Sequence, residues 1–229
     1  MRTLARACYR CLPAPLREAM TSSSVIKRFA DRCAAHPLVH DFFYDARYYD
    51  SQLAWLDQAA EAFADTALEL EGVRSVVDVG CGQGHYLEAF RRRGVRAAGV
   101  ECSREAVRRC QARQLLVIRA DLRKLPRLPM HADLVYSIEV AEHLPADMAE
   151  HFVDLLTAAA DRWLVITAAA PGQTGMNHFN CQPPAYWIDR IEARAMRYRV
   201  DLTLDWRQRH ADASLPAWLC ENLMVFEHA

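Results

Sequence analysis

A run of apolar residues that ends in three alternating glycines constrains this chain more than any other feature. It reads Val76-Val77-Asp78-Val79 and continues as Gly80-Cys81-Gly82-Gln83-Gly84, after which a helical pattern begins. Because glycine has no Cβ atom, such a loop lets a small molecule lie against bare backbone. The stretch therefore predicts a strand, a ligand-binding loop and a helix in succession, although the Gly-x-Gly spacing alone does not identify the ligand.

Apolar strand patterns alternate with helical patterns along the chain, which predicts an α/β fold with a mostly parallel, seven-stranded sheet and helices on both faces. We expect one domain over 1–229, in which 1–72 form a helical N-terminal cap and 73–229 carry the sheet, with an irregular segment at about 168–184. The predicted strands are 75–79, 97–100, 115–118, 133–138, 163–167, 200–206 and 223–226. The predicted helices begin near Ser22, Asp50, His85, Ser103, Asp147 and Pro183, with a capping box between Asp147 and Glu150.

The composition is that of an ordinary globular protein, with 229 residues, 52% hydrophobic and 25% charged. A formal net charge of -1 argues against nucleic acid as a partner, and no apolar run approaches the length of a membrane span. The basic N-terminal stretch lacks the unbroken apolar segment of a secretory signal. The eight cysteines are scattered, so we expect reduced thiols in a cytoplasmic protein. The pair Cys8-x-x-Cys11 has no second pair to complete a zinc site.

Polar residues follow the predicted strands at the points where each strand ends. Glu101 lies 19 residues after Gly82, Asp121 follows the third strand, and Glu139 follows the fourth. In parallel sheets, ligands bind beyond the carboxyl ends of the strands, near the point where the strand order reverses. An acid after the second strand can accept hydrogen bonds from both hydroxyls of an adenosine ribose, and Asp121 lies where an adenine amino group would reach.

These motifs resemble those of the class I S-adenosylmethionine-dependent methyltransferases, in detail over residues 73–170. The segment Ser137-Ile138-Glu139-Val140-Ala141-Glu142-His143-Leu144 is similar to that of a subgroup that includes the ubiquinone-pathway O-methyltransferases. The resemblance implies a Rossmann-like, doubly wound sheet that binds S-adenosylmethionine and releases S-adenosylhomocysteine. The residues that it places at the cofactor are Asp78, Gly80, Cys81, Gly82, Gly84, Glu101, Cys102, Asp121, Leu122 and Glu139.

Two histidines are candidates for a catalytic base. His143 follows the fourth strand together with Glu142, and His178 lies in the irregular segment after the fifth strand. If the methyl acceptor is a hydroxyl, removal of its proton assists transfer, and histidine is the natural base near neutral pH. Which of the two histidines acts as the base is left open, since a single histidine often has a structural role.

The same segment has a second interpretation as a metal site. Glu139, Glu142 and His143, with His178 as a fourth ligand, can hold a divalent cation that polarises a substrate hydroxyl. Some relatives with a Glu-x-x-Glu-His motif use a metal in this way. Relatives without a metal contain the Glu-His pair as well, where it orients the helix and the cofactor. We therefore expect no metal.

The acceptor site is expected to form from the aromatic residues near 40–49, the segment 171–187 and the segment 214–218. A pocket with aromatic walls favours an apolar or aromatic small molecule, such as a specialised metabolite or a quinone-like compound, methylated at oxygen. Methylation at nitrogen or sulfur, a macromolecular acceptor, a non-catalytic cofactor-binding role and a monomeric or dimeric state all remain open. The candidate substrate contacts, for each of which core packing is an adequate alternative, are Tyr44, Asn180, Tyr186, Trp187 and Trp218.

Overall fold

Seven strands form one mixed sheet in the part of the chain that the structure describes. The computed structural model describes residues 44–50, 53–175 and 177–229. The strands are β1 (Ser75–Val79), β2 (Arg96–Glu101), β3 (Leu116–Arg119), β4 (Ala132–Ile138), β5 (Ala160–Thr167), β6 (Met196–Tyr198) and β7 (Met224–His228). Their order is β3-β2-β1-β4-β5-β7-β6, and only β7 runs antiparallel to its neighbours.

Eight helices accompany the sheet within the described residues. They are α1 (Ala46–Asp50), α2 (Leu53–Ala67), α3 (His85–Arg92), α4 (Arg104–Ala112), α5 (Ala149–Ala159), α6 (Pro184–Glu192), α7 (Val200–Asp212) and α8 (Ala217–Asn222). Short 3-10 turns at Ala141–His143 and Ala146–Met148 lie between β4 and α5. None of the described helices combines the length and the apolar character needed to cross a bilayer.

The strand β1 lies at the centre of the sheet and contributes apolar side chains to the cores on both faces. Val77 and Val79 pack into one core, while Val76 packs into the core on the opposite face. β1 pairs in parallel with β2 on one side and with β4 on the other. The strand order therefore reverses beside β1, and its carboxyl end adjoins the crevice where ligands bind in such sheets.

Each face of the sheet is covered by helices that bury large side chains. The helices α5 and α6 cover one face with Phe152, Leu156, Trp187 and Ile191. The helices α2, α3, α7 and α8 cover the other with Phe63, Phe90, Trp206 and Leu219. This double covering confirms the predicted arrangement of helices on both faces, and most predicted elements are confirmed to within three residues.

The predicted strand at 200–206 is wrong, because this segment belongs to the helix α7. Its buried side chains are Thr203, Trp206 and His210, whose spacing of three and four residues matches a helical face. Val200 and Leu204 are 56% and 60% exposed, so their apolar character does not mark a buried strand. The strand that completes the seven-stranded sheet in its place is the short β6, which precedes α7 in the chain.

The predicted capping box before α5 does not form. Met148 occupies the N-cap position and its side chain makes no capping hydrogen bond, while Asp147 lies in the preceding 3-10 turn. Glu150 instead forms an ion pair with Arg194, with Oε2 2.8 Å from Nη2. The helix predicted near Ser22 lies outside the described residues, as do positions 40–43 of the aromatic segment.

Candidate functional site

A cavity of about 560 Å³ opens where the carboxyl ends of the parallel strands meet. Its wall contains the glycine loop after β1, the end of β2, the residues after β3 and β4, and the segment after β5. Aromatic side chains from α1, α2 and α8 add a further wall. Because parallel strands all end at the same edge of the sheet, segments distant in sequence meet at this one cavity.

The glycines of the loop have two different functions in the fold. Gly82 has a φ of 51°, and a Cβ atom there would meet no atom within 4 Å, so it faces open space in the cavity wall beside Gly80 and Cys81. Gly84 has a φ of 79° and does not line the cavity; a Cβ atom there would lie 2.6 Å from Leu115 Cδ1. The predicted cofactor contact of Gly84 is therefore corrected to a packing role.

Asp78 lies within β1 and not in the loop that follows it. Its side chain is buried and is absent from the cavity wall. Burial raises the pKa of Asp78 well above its usual range, and the neighbouring Cys110 and Glu101 raise it further. Asp78, which the resemblance places at the cofactor, therefore lies in the strand behind the loop and does not line the cavity.

The carboxylate of Glu101 is held at the end of β2 by two backbone amides. Gly82 N donates to Oε2 at 2.9 Å, and Ser103 N donates to Oε1 at 2.6 Å. Each carboxylate oxygen has a second lone pair, so the group can still accept hydrogen bonds from a ligand in the cavity. Cys102 lines the wall beside it, and burial followed by the charge of Glu101 raises the pKa of the Cys102 thiol.

The residues after β3 form the next section of the wall. Asp121 accepts two hydrogen bonds from the guanidinium of Arg123, at 2.7 Å from Nε and 2.8 Å from Nη2, and a third from the Arg123 backbone amide at 3.1 Å. Burial pushes the pKa of Asp121 upward, but the hydrogen bonds and charge of Arg123 outweigh burial and leave it lowered. Leu122 also lines the cavity. The structure places both predicted residues on the wall, with Arg123 as an additional member that the sequence analysis missed.

Glu139 is anchored at the end of β4 by two side-chain amides. Its Oε1 accepts from Asn222 Nδ2 at 3.1 Å and its Oε2 accepts from Gln173 Nε2 at 3.2 Å. Its backbone amide donates to Thr167 Oγ1 at 2.8 Å. These contacts orient Glu139 along the wall and leave it outside the group of potential metal ligands described next.

Glu142, His143 and His178 come together on the part of the cavity wall that follows β4 and β5. Potential ligand atoms of the three side chains lie within 4.8 Å of one another. The two imidazole rings meet edge to face with their centres 5.0 Å apart, and His143 Nδ1 lies 3.1 Å from Asn177 O. A side chain at Gly175 would collide with His178, so this glycine allows the ring to reach its position.

The carboxyl group of Glu142 is fully buried beneath the two histidines. Neither of its oxygens has a hydrogen-bond partner among the described residues, and Oε1 lies 4.0 Å from His178 Nε2. Burial raises the pKa of Glu142 well above its usual range, and the charge of Glu139 raises it further. The arrangement can take up a proton, or a cation, at the histidines.

Aromatic side chains close the remaining side of the cavity. Tyr44 packs edge to face against Tyr48, and its hydroxyl oxygen lies 3.5 Å from His143 Nδ1. Trp55 and Trp218 form a second edge-to-face pair with ring centres 5.4 Å apart. Of the predicted substrate contacts, Tyr44 and Trp218 therefore line the cavity. Tyr48 and Trp55, which were not among those predicted contacts, line it as well.

Three predicted substrate contacts do not line the cavity. Trp187 is 1% exposed and packs edge to face on Phe152 in the core beneath the sheet. Tyr186 stacks under the guanidinium of Arg190. Asn180 is buried where its backbone amide donates to Glu142 O. These three predictions are corrected: α6 buries Trp187 in the core and not in the cavity wall, and neither Tyr186 of the same helix nor Asn180 before it lines the cavity.

The sequence analysis also missed His85 and Gln173 as lining residues. The position of His85 directly after the glycine loop was a signal that could have identified it. No local signal identifies Gln173, since its neighbours in space, Glu139 and Asn222, are distant in sequence.

Comparison with known proteins agrees with this geometry. A family model described as a methyltransferase domain matches residues 47–218. The dTDP-4-amino-2,3,4,6-tetradeoxy-D-glucose N,N-dimethyltransferase of Saccharopolyspora spinosa is 28% identical over 120 residues, which cover 52% of this chain and 44% of that protein. The chain spans about half the length of the curated relatives it matches.

Solved structures share the fold at low sequence identity. The S-adenosylmethionine-bound magnesium protoporphyrin IX methyltransferase of Synechocystis PCC 6803 has a TM-score of 0.60 at 17% identity, over 85% of this chain and 97% of that one. An S-adenosylmethionine-bound amino pentose methyltransferase of Micromonospora echinaspora has a TM-score of 0.60 at 16% identity, over 82% and 97%. The chain therefore belongs to the methyltransferase domain family and has the class I, Rossmann-like fold of S-adenosylmethionine-dependent methyltransferases.

Proposed function

We propose that this chain transfers a methyl group from S-adenosylmethionine to an oxygen atom of a small-molecule acceptor. The observation that supports this most strongly is that one cavity contains both a cofactor cradle and a pair of histidines. Gly82 and Glu101 form the cradle at the ends of β1 and β2, while His143 and His178 lie after β4 and β5.

The residues of the cradle fit the cofactor. The open space at Gly82 admits a ligand close to the backbone, and the Glu101 carboxylate is already oriented to receive two hydroxyls. Leu122 offers an apolar surface for a flat ring, beside Asp121. S-adenosylmethionine supplies a methyl group that is bonded to a positively charged sulfur, and a nucleophile can accept this methyl group.

The two histidines support proton removal from a hydroxyl acceptor. Most of the catalysis in methyl transfer comes from alignment of the acceptor, to which a positioned base adds about 10²–10⁴-fold. His143 and His178 are in contact, and the buried Glu142 lies beneath His178. The acceptor proton would pass to an imidazole nitrogen of one of the two histidines.

The cavity wall favours an acceptor without phosphate groups. Among the described lining residues, Arg123 is the one Lys or Arg side chain, and Asp121 already binds it. Four carboxyl groups and several aromatic rings make up much of the rest. A nucleotide-linked sugar, as named for the relative from Saccharopolyspora spinosa, carries two phosphates that this wall would repel.

An amine acceptor is the second candidate. The name of that same relative describes N,N-dimethylation of an amino sugar. Acidic residues on the wall would attract a cationic amine, which loses its proton to the same histidines before it reacts. Assays with matched hydroxyl and amine acceptors distinguish the two proposals, because the proposed O-methylation requires product only from the hydroxyl series.

Calorimetry with S-adenosylhomocysteine tests the cofactor. We expect binding by the wild type, no detectable binding by Gly82→Val and at least about tenfold weaker binding by Glu101→Ala, since hydrogen bonds to a charged group contribute about 1.5–3 kcal/mol. Absence of binding by the wild type would refute the proposal. Mass spectrometry after incubation with acceptors of each class then identifies the methylated atom.

Chelation tests the role of a metal. We propose that the histidines act without a cation, since Glu139, one of the four predicted ligands, is engaged by Asn222 and Gln173. Turnover should persist in excess EDTA and fall by about 100-fold or more in His143→Ala. Loss of activity in EDTA, with recovery on addition of Mg²⁺ or Mn²⁺, would contradict the histidine base and support a metal site at Glu142, His143 and His178.

We also propose that the protein works in the cytoplasm. None of the five cysteines within the described residues is in a disulfide, and Cys81 and Cys110 are buried beside the glycine loop. Free thiols persist in a reducing compartment. Cell fractionation with an antibody against the chain tests this location.

A further inference from the structure

The α1 segment, residues 44–50, is attached to the protein by polar contacts next to the cofactor cradle. Gln83, a buried residue of the glycine loop, donates from Nε2 to Tyr49 O at 3.1 Å. Ser103, which follows the end of β2, donates from Oγ to Tyr44 O at 3.4 Å. The backbone near both ends of the α1 segment is therefore bound to the elements that carry the cradle.

Arg109 of α4 connects the glycine loop to the α1 segment through one guanidinium group. Its Nη1 donates to Gln83 Oε1 at 3.2 Å. Its Nη2 donates to Ala46 O at 3.2 Å and to Asp50 Oδ1 at 2.8 Å. Its Nε donates to Glu105 Oε1 at 2.9 Å, which holds the guanidinium on α4. Because the guanidinium is planar and rigid, its donors fix the loop and the α1 segment relative to each other.

The α1 segment in turn supplies tyrosines to the cavity wall. Tyr44 and Tyr48 line the cavity and pack edge to face with ring centres 4.8 Å apart. The hydroxyl oxygen of Tyr44 lies 3.5 Å from His143 Nδ1. Arg109 does not itself line the cavity. The position of the tyrosines beside His143 therefore depends on contacts that Arg109 makes behind the wall.

We propose that Arg109 is a positioning residue that couples the glycine loop to the α1 segment, so that cofactor binding at the loop and the placement of Tyr44 and Tyr48 beside His143 stabilise each other. The inference rests on the proposed function, because it concerns the cofactor and acceptor sides of the same cavity. Coupling between two sites is reciprocal, so a ligand that stabilises the loop also stabilises the docked α1 segment. Arg109 acts through Gln83 and the α1 segment.

Hydrogen exchange followed by mass spectrometry tests the link between Arg109 and the α1 segment. Arg109→Met removes the donors and keeps an apolar stem, so amides of the α1 segment should exchange about tenfold faster or more, while amides of β4 should exchange as in the wild type. Arg108→Met is the matched control and should leave the α1 segment unchanged, because Arg108 also binds Glu105 but is 65% exposed. Equal exchange of the α1 segment in Arg109→Met and the wild type would overturn the proposal.

S-adenosylhomocysteine tests the coupling itself. It should slow exchange in the α1 segment of the wild type about tenfold, and calorimetry should show about tenfold weaker binding by Arg109→Met but unchanged binding by Arg108→Met. A role of Arg109 in the stability of α4 alone would lower the free energy of unfolding in urea without either effect.

The outcomes separate this inference from the proposed function. Unchanged affinity in Arg109→Met, or exchange in the wild-type α1 segment that S-adenosylhomocysteine does not slow, would overturn the coupling. If the wild type binds no S-adenosylhomocysteine, the proposed function fails together with the coupling. If the wild type binds it without these effects, only the role of Arg109 fails.

Discussion

Gly82 and Gly84 lie two positions apart in one loop, yet they lack a side chain for different physical reasons. At Gly82 the missing Cβ atom leaves room for a ligand, because no protein atom lies within 4 Å of its place. At Gly84 the missing Cβ atom leaves room for the protein itself, since Leu115 Cδ1 and Cys110 Sγ would lie 2.6 and 3.0 Å away. The two glycines therefore look alike in the sequence, but Gly82 leaves room for a ligand and Gly84 leaves room for neighbouring side chains.

Alanine substitutions at these two positions should differ in their effects on stability and on ligand binding. Gly84→Ala combines a left-handed backbone with a steric clash and should lower the free energy of unfolding by about 2–4 kcal/mol. Gly82→Ala has only the backbone cost of about 1–2 kcal/mol but places a methyl group in the cradle, which should weaken S-adenosylhomocysteine binding about tenfold or more. Urea unfolding and calorimetry measure both quantities. Equal destabilisation by the two variants would contradict this distinction.

At the scale of single elements, α7 shows how tertiary contacts decide between helix and strand. Residues 200–206 contain β-branched and apolar residues that are compatible with a strand. The helix prevails because it buries Thr203, Trp206 and His210 on one face against α2 and β7. Thr203 also joins the helix to the sheet, since Val225 N donates to its hydroxyl at 3.0 Å.

Loss of that hydroxyl should destabilise the contact between α7 and β7. Thr203→Val leaves a buried amide of Val225 without its acceptor, at a cost of about 1–3 kcal/mol, which lowers Tm by about 2–4 °C for each kcal/mol in a chain of this size. Thr157→Val is the matched control, because its hydroxyl donates only to Val153 O within α5, which also accepts a helical amide. Thermal unfolding of both variants tests the difference; a loss in Thr157→Val as large as in Thr203→Val would contradict it.

At the scale of the whole molecule, packing between distant segments also sets the response to pH. His210 of α7 is buried against Phe63 of α2 and against Trp206. Burial lowers the pKa of His210 from 6.5 to about 4, and the charge of Arg209 contributes in the same direction. Between these pH values the unfolded chain binds a proton that the folded chain does not, so stability falls as the pH decreases.

Replacement of His210 should remove part of this acid sensitivity. Between pH of about 7 and about 4.5, the wild type should lose about 2–3 kcal/mol more than His210→Leu, from 1.36 kcal/mol for each pKa unit. The free energy of unfolding in urea at the two pH values provides the measurement. His131→Leu, at an exposed site, is the control and should behave like the wild type. The same loss in His210→Leu as in the wild type would show that other groups cause the sensitivity.

The sequence by itself determined the centre of the molecule. The apolar run before Gly80 has to be a buried strand, and strand–helix alternation leads to a parallel sheet whose strands end at one edge. Because the strands end at one edge, the sequence alone predicts that Glu101, Asp121 and His143 lie at the same cavity, and all three line it. These features depend on local patterns and on a general property of parallel sheets, so they can be predicted from sequence.

Only the tertiary structure decided which side chains close the cavity. Trp187 is in the core and Trp218 is on the wall, although both are tryptophans at the start of short helices. Which face a short helix buries depends on the free energy of packing against distant segments, which periodicity does not reveal. The anchoring of Glu139 by Gln173 and Asn222, and the pairing of His85 with Asp57, likewise join positions far apart in the chain.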